Sequence, residues 1–267
     1  MVKRIGWLQQ DVGIQGGAEM SCNTLIQGAP EWAEVVYCPP NKRPPDDIDA
    51  YVIQNCVTYG ERWIEELVRR PVVRHIRDPW YAGSPILRRW LLDNAALLIF
   101  SSPVQLEAFG YEHDRPVKII LPPVDLEPFK AACKLPEERQ GSIFVGRVDI
   151  YKGAPRAIDW ALRTGEPLAL IGEVMMPFGQ LPPFIRLLGK VPYERMPDIL
   201  GQAQRLVFFP EWPEAFGRAV VEAWAAGCEL LLDGRIGAQW WIENQPERLG
   251  LEGPVSEFWA AVEGVVK

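Results

Sequence analysis

The sequence predicts an α/β protein of two domains, each built on a parallel sheet. Three observations carry that expectation. Short apolar runs alternate with helical patterns twice over, as layered α/β domains require. The 267 residues suit two domains of ordinary size. A more polar stretch, 125–142, interrupts the alternation midway. The expected division is a first domain at 1–126, a linker at 127–141 and a second domain at 142–267. A hydrophobic content of 48% against 24% charged residues supplies apolar material for a core in each half.

In the first half, apolar runs predict strands at 4–9, 35–38, 50–54, 72–76, 97–100 and 117–121. Helical patterns between them predict helices at 18–27, 62–68, 87–94 and 104–109. In the second half, strands are expected at 143–146, 168–172, 185–188, 206–209 and 230–232, each short and apolar as buried parallel strands are. The final helix, 255–266, carries Val255, Phe258, Trp259, Val262 and Val266 on one face, so it docks on a neighbouring layer.

Composition narrows the chemistry. A net charge of -7 argues against a protein that coats nucleic acid through its overall field. The five cysteines are scattered without a C-x-x-C pair, so neither a disulfide framework nor a zinc site is expected. Two histidines, His75 and His113, nearly exclude a Ser/His/Asp arrangement or a His-based metal site as the main chemistry. The N-terminal apolar run is too short for a signal peptide, no stretch approaches bilayer length, and the expected location is cytoplasmic.

Chemistry-bearing residues cluster after the apolar runs. In 210-PEWPEAFGRAVVEAWAAG-227, Glu214 and Glu222 stand eight positions apart, and Ala219, Val220, Val221, Ala223, Trp224, Ala225 and Ala226 leave no polar face beside Glu222. A carboxylate buried there requires a partner, from the protein or from a ligand. In a helix that spacing spans about 12 Å, so the pair could reach opposite ends of a ligand whose phosphates face the helix N-terminus. The sequence 16-GGAE-19 follows the first strand and opens a helix, where backbone amides can face an anion; a plain tight turn explains its glycines equally well. Arg147 and Lys152 follow the strand 143–146, at the strand end where open α/β sheets bind ligands, and could hold a diphosphate.

Together these segments resemble the retaining glycosyltransferases of family 4, whose GT-B fold has two facing Rossmann-like domains with a cleft between them. The resemblance rests on GGAE at 16–19, 95-AALLIFSS-102, 119-IILPPVDLEPF-129, 144-FVGRVDIYKG-153, 169-ALIGE-173, 189-GKV-191 and the Glu214 to Glu222 run ending in 226-AGC-228. It implies an acceptor-side first domain and a nucleotide-sugar-binding second domain. It also implies a hexosyl or pentosyl transfer from a nucleoside diphosphate sugar, such as a UDP-sugar, to a hydroxyl, with retention and without a metal or other cofactor. Gly16 and Gly17 would approach the donor through backbone amides, and Arg147 and Lys152 would neutralise its diphosphate. Glu214 and the amides of Phe216 and Gly217 would contact the donor sugar. Glu222 would take the ribose hydroxyls, and Val191 would lie near the base. The D-x-D sequence Asp47-Ile48-Asp49 sits in a proline-rich turn and reads as a solvated turn rather than a metal site.

On the acceptor side the chain departs from the family pattern. Where that family often has His-Asp, this sequence has Arg77-Asp78 within 74-RHIRDPW-80, so either Asp78 or His75 is the candidate. Between Arg69 and Trp90 stand six arginines and one acid, interleaved with Trp80, Tyr81 and Trp90. Arg74, Arg77 and Trp80 belong to this stretch, which could hold the phosphates and bases of DNA or be a solvated helix face with core tryptophans. Such a stretch on a compact transferase looks like the phage-type enzymes that glycosylate hydroxymethylated pyrimidines in DNA, the expected acceptor. A lipid or glycan acceptor, a non-catalytic nucleotide-sugar-binding module and a nucleotide-sugar epimerase are the alternatives.

Overall fold

The computed structural model describes residues 1–9, 16–39, 42–54, 64–77, 92–110 and 114–267. The chain divides into two units, Met1–Pro123 with Gln245–Lys267, and Val124–Asn244. In the first unit, strands β1 (Lys3–Leu8), β2 (Ala33–Tyr37), β3 (Ala50–Ile53), β4 (Val72–Ile76), β5 (Leu97–Phe100) and β6 (Val117–Ile119) lie in the order β2-β1-β3-β4-β5-β6. Each described pair of neighbours is parallel. Among the described residues up to Pro123, the helices of this unit are α1 (Gly17–Gln27), α2 (Ile64–Leu67) and α3 (Pro103–Phe109). The expected helix at 87–94 lies largely outside the described residues.

The strands stand where the apolar runs are because most are buried on both faces. Ile5 and Trp7 of β1 face a cluster with Val52, Val73 and Ile99, whereas Leu8 faces Ile53 and Val72 on the other side. Helix α3 starts at a polar cap, with the Ser102 hydroxyl accepting from the Gln105 backbone N–H, and stops at Gly110 in the left-handed region. That start and stop follow ordinary capping physics. Asp47 and Asp49 anchor the edge of this sheet. Asp49 accepts from the Arg4 backbone N–H at 2.8 Å, and Asp47 pairs with the Arg4 side chain. The turn is thus tied to β1 through both acids rather than simply solvated.

The second unit holds β7 (Ser142–Val145), β8 (Leu168–Ile171), β9 (Ile185–Gly189), β10 (Arg205–Phe208) and β11 (Glu229–Leu232), ordered β11-β10-β7-β8-β9 and parallel throughout. Its helices are α4 (Glu127–Ala131), α5 (Ala154–Thr164), α6 (Met196–Gln202), α7 (Arg218–Ala225) and α8 (Gly237–Asn244).

Two boundaries differ from expectation. The stretch expected as a linker, 127–141, is part of the second unit. Helix α4 packs on α6 and α7, Phe129 is buried, and the backbone at Ala132 comes so close to Gly201 that a Cβ there would overlap its carbonyl. The polar residues facing solvent hid that packing in the sequence. The C-terminal helix α9 (Glu252–Val266), expected in the second domain, belongs to the first unit. Phe258 and Trp259 fill an aromatic cluster with Trp7, Trp32 and His75, and the Trp259 indole donates to the Leu25 carbonyl at 2.8 Å. Burying a side chain such as Phe258 contributes about 1.5–3 kcal/mol, and its partners lie in the first sheet.

Candidate active site

The second sheet reverses its strand order at β7 and β10. β8 and β9 extend to one side of β7, and β10 and β11 to the other. The carboxyl ends of the two strands flanking such a reversal are where open α/β sheets bind ligands. The loop after β7 carries Arg147 and Lys152, and the loop after β10 carries Glu214, Phe216 and Gly217.

These loops meet backbone to backbone. Gly153 has φ 79°, and a Cβ there would overlap the Phe209 carbonyl. The Glu211 N–H donates to the Tyr151 carbonyl at 3.1 Å. Gly165 has a similar φ of 73° with nothing near its missing Cβ. Gly153→Ala and Gly165→Ala are therefore each expected to lose about 1–2 kcal/mol from left-handed backbone strain, with a further loss in Gly153→Ala alone. Thermal melts of the two variants side by side check this. Equal midpoints would show that the loop contact is loose.

Contact between the loops brings Lys152 Nζ to 2.5 Å from Glu214 Oε2, both side chains mostly buried. Glu214 is pinned by its backbone as well. Its N–H donates to the Arg235 carbonyl at 2.8 Å, and its carbonyl accepts from the Gly237 N–H at 2.9 Å. Arg147 reaches Asp149, with Nε 2.8 Å from Oδ2, while Asp149 Oδ1 accepts from the Lys152 N–H at 2.8 Å. Asp149 thus ties both cations into one loop. Its only signal in the sequence was its position, an acid between two cations in GRVDIYKG.

Gly217, with φ 87°, is the N-cap of α7, and Phe216 is buried beside it. One turn further, Glu222 is 3% exposed. Its Oε1 accepts from Arg218 Nε at 2.6 Å and from the Tyr193 hydroxyl at 2.7 Å. Arg218 Nη2 also donates to the Tyr193 oxygen at 3.0 Å, and the guanidinium lies over the Tyr193 ring. Burial pushes the Glu222 carboxyl above the usual range, with Arg218 pulling it back. Burial, and then the Glu222 charge, push the Tyr193 hydroxyl well up. The partner that the buried glutamate required is therefore within the protein. Sequence inspection missed both groups. Arg218 was legible at i−4 on the same helix, whereas Tyr193 arrives from the turn after β9, two residues beyond Val191.

The remaining candidates lie in the first unit. Gly16 is the N-cap of α1 and Gly17 its first residue. The Glu19 carboxylate lies where a Cβ on Gly16 would point, so an acid of the protein's own stands at that helix end. Arg74, expected in a solvated basic patch, is instead 0% exposed and donates to the carbonyls of Ile53 and Gln54. Arg77 is buried with its Nε 3.1 Å from Gln54 Oε1. His75 is buried against Phe258, and its pKa lies well below the ordinary value, first through burial and then through Arg77 and Arg74. It is a neutral core side chain. These three sit in or just after β4, whose buried position takes them out of solvent. Asp78, Trp80, Tyr81, Arg88, Arg89 and Trp90 lie outside the described residues.

No family model matches the sequence, and no curated protein matches it. Solved structures do match. A structure of HepE from Anabaena in complex with UDP and glucose superposes with a TM-score of 0.64 at 16% identity, covering 99% of this chain and 95% of that one. AviGT4, a glycosyltransferase involved in avilamycin A biosynthesis, gives 0.54 at 19% identity over 98% and 89%. WaaG, a glycosyltransferase involved in lipopolysaccharide biosynthesis, gives 0.59 at 13% over 97% and 90%. At these identities the likeness establishes architecture, and the chain has the GT-B fold, with a parallel α/β sheet in each of two units.

Proposed function

We propose that the protein is a glycosyltransferase that moves a sugar from a nucleoside diphosphate sugar, a UDP-sugar in the first instance, to a hydroxyl acceptor. The observation that carries this reading is the meeting of Arg147, Lys152 and Glu214 at the strand-order reversal of the second sheet. Its support from outside the chain is a shared fold with proteins whose structures hold UDP and glucose.

In this reading Arg147 and Lys152 face the donor diphosphate. The diphosphate replaces Glu214 as the partner of Lys152, which leaves the Glu214 carboxylate to accept hydrogen bonds from the donor sugar. The amides of Phe216 and Gly217, at the N-terminus of α7, add fixed dipoles on the same side. Val191, beside Tyr193, is the base-side candidate. Glu222, buried between Tyr193 and Arg218, is the ribose-side candidate. The bond from the anomeric carbon to the phosphate oxygen breaks, and the acceptor oxygen attacks that carbon from the same face, retaining configuration. The acceptor proton passes to the departing phosphate oxygen, so the reaction requires no separate base. The cations take the leaving charge by preorganised electrostatics, which makes the proposed transfer metal-independent. The expected DNA acceptor rested on the arginine stretch; with Arg74 and Arg77 inside the first unit, that argument loses two of its cations.

The test is donor turnover with a panel of nucleotide sugars, read as nucleoside diphosphate release. UDP-sugar-dependent release is the expected result. UDP binding without any release identifies a binding module instead, isomerised donor identifies an epimerase, and no nucleotide binding removes the reading.

A further inference from the structure

Beside the Lys152–Glu214 pair, the same two loops expose an aromatic pair that the proposed donor contacts do not use. Tyr151 immediately precedes Lys152, and Trp212 stands two residues before Glu214. Their rings meet edge to face with centroids 4.9 Å apart, and the residues are 53% and 40% exposed. Large aromatics leave this much surface in water at a cost, so their exposure beside a charged pair calls for an explanation.

The loops that carry the pair are tied together. The Glu211 N–H to Tyr151 carbonyl bond joins the two loops next to both rings. Behind them, Arg156 donates to the carbonyls of Phe209 and Pro210 at 3.2 and 3.5 Å and pairs with Asp233 and Glu211. Binding there would therefore cost little loop ordering, one of the usual drains on affinity.

Charge selects the ligand class. The acids next to Trp212 in the chain are Glu211 and Glu214, paired with Arg156 and Lys152 respectively. A polyanion such as DNA, laid along this stretch, meets two acids within two residues of Trp212, whose charge opposes its phosphates. A neutral sugar satisfies both elements, with its C–H face on an aromatic ring and its hydroxyls donating to carboxylates in charge-assisted hydrogen bonds.

We infer that Tyr151 and Trp212 form a carbohydrate-binding platform that takes a neutral sugar acceptor next to the Lys152–Glu214 pair. Its role as an acceptor site rests on the transferase reading above; its binding of sugar does not. The acceptor hydroxyl would be presented from a sugar ring lying on the aromatic pair.

Saturation-transfer NMR on the full chain tests this with methyl glucosides, methyl galactosides, cellobiose and maltose as probes. A duplex oligonucleotide containing hydroxymethylcytosine is the competing probe. Wild type is expected to bind at least one of the sugars, and Tyr151→Ala with Trp212→Ala to weaken that binding by about tenfold. Trp212→Phe should retain most of the binding, which a merely structural role for the indole would not produce. Melting and circular dichroism of each variant confirm folding, and the single Tyr151→Ala variant provides the reading if the double variant does not fold. In turnover, the acceptor KM should rise in Tyr151→Ala far more than the donor KM. Absence of sugar binding in wild type, unchanged sugar binding in both folded alanine variants, or duplex binding that depends on Trp212 would overturn the proposal. Sugar binding that is lost with the rings in a protein that turns over no donor would sink the transferase reading and leave the platform standing.

Discussion

Lys152→Met is expected to lower turnover by about two to three orders of magnitude, the usual consequence of removing one preorganised group from developing transition-state charge. Lys152 stands at the strand-order reversal, its ammonium 2.5 Å from Glu214, and in the proposed reaction it moves to the departing diphosphate. Methionine keeps the length and apolar stem of lysine and removes the charge, so the loop joined through Gly153 and Phe209 should remain folded. Glu214→Gln is expected to lower kcat more than it raises the donor KM, because in the proposed reaction the carboxylate faces the reacting sugar rather than the nucleotide. The two residues share a contact, so the double variant should fall short of the product of the single effects. Single-turnover and steady-state kinetics of the three variants read this directly. Lys152→Met with wild-type kcat would remove lysine from the proposed chemistry.

Arg218→Met is expected to destabilise the fold by about 3–5 kcal/mol, the cost of leaving one partner of a buried ion pair without the other. Glu222 is almost fully buried, and its protein partners are Arg218 and the Tyr193 hydroxyl. The loss should depend on pH in a defined direction. Burial already raises the folded-state pKa of Glu222 above 4.5, with Arg218 opposing, and removing Arg218 raises it further. The folded variant then binds the proton more readily than the unfolded chain. Its deficit relative to wild type is smallest below the unfolded value and grows as pH rises through the raised folded value. Urea unfolding at about pH 5 and about pH 8, with wild type beside it, measures the difference. Arg218→Met combined with Glu222→Met should recover much of the loss, since it buries no unpaired charge. Equal deficits at both pH values would mean that Glu222 is not the group left exposed to the penalty.

The sequence located Glu222 as a buried carboxylate because its helical neighbours are apolar, a local property. It could not name Tyr193, which lies 29 residues away and reaches α7 only because the turn after β9 passes that helix. Arg147 and Lys152 were legible as cations after a strand. Their link through Asp149, and the Lys152–Glu214 contact across 62 positions, depend on the approach of two loops. Arg74 and Arg77 show the opposite error, since a charge run reads as a solvated face unless the strand carrying it is known to be interior. β4 has sheet neighbours on both sides, so Arg74 and His75 are enclosed, and Arg74 is accommodated by carbonyls at the end of β3.

Taken alone, the sequence determined that this chain forms two parallel α/β sheets, because short apolar strands and intervening helices are written in local periodicity. It also determined where the charged groups lie along each strand end. The tertiary structure decided which unit owns the final helix, since Phe258 and Trp259 are buried wherever their matching cavity lies, and that cavity is beside Trp7. It likewise decided which charges pair, because ion pairs form between side chains adjacent in space, and strand order rather than chain order sets that adjacency.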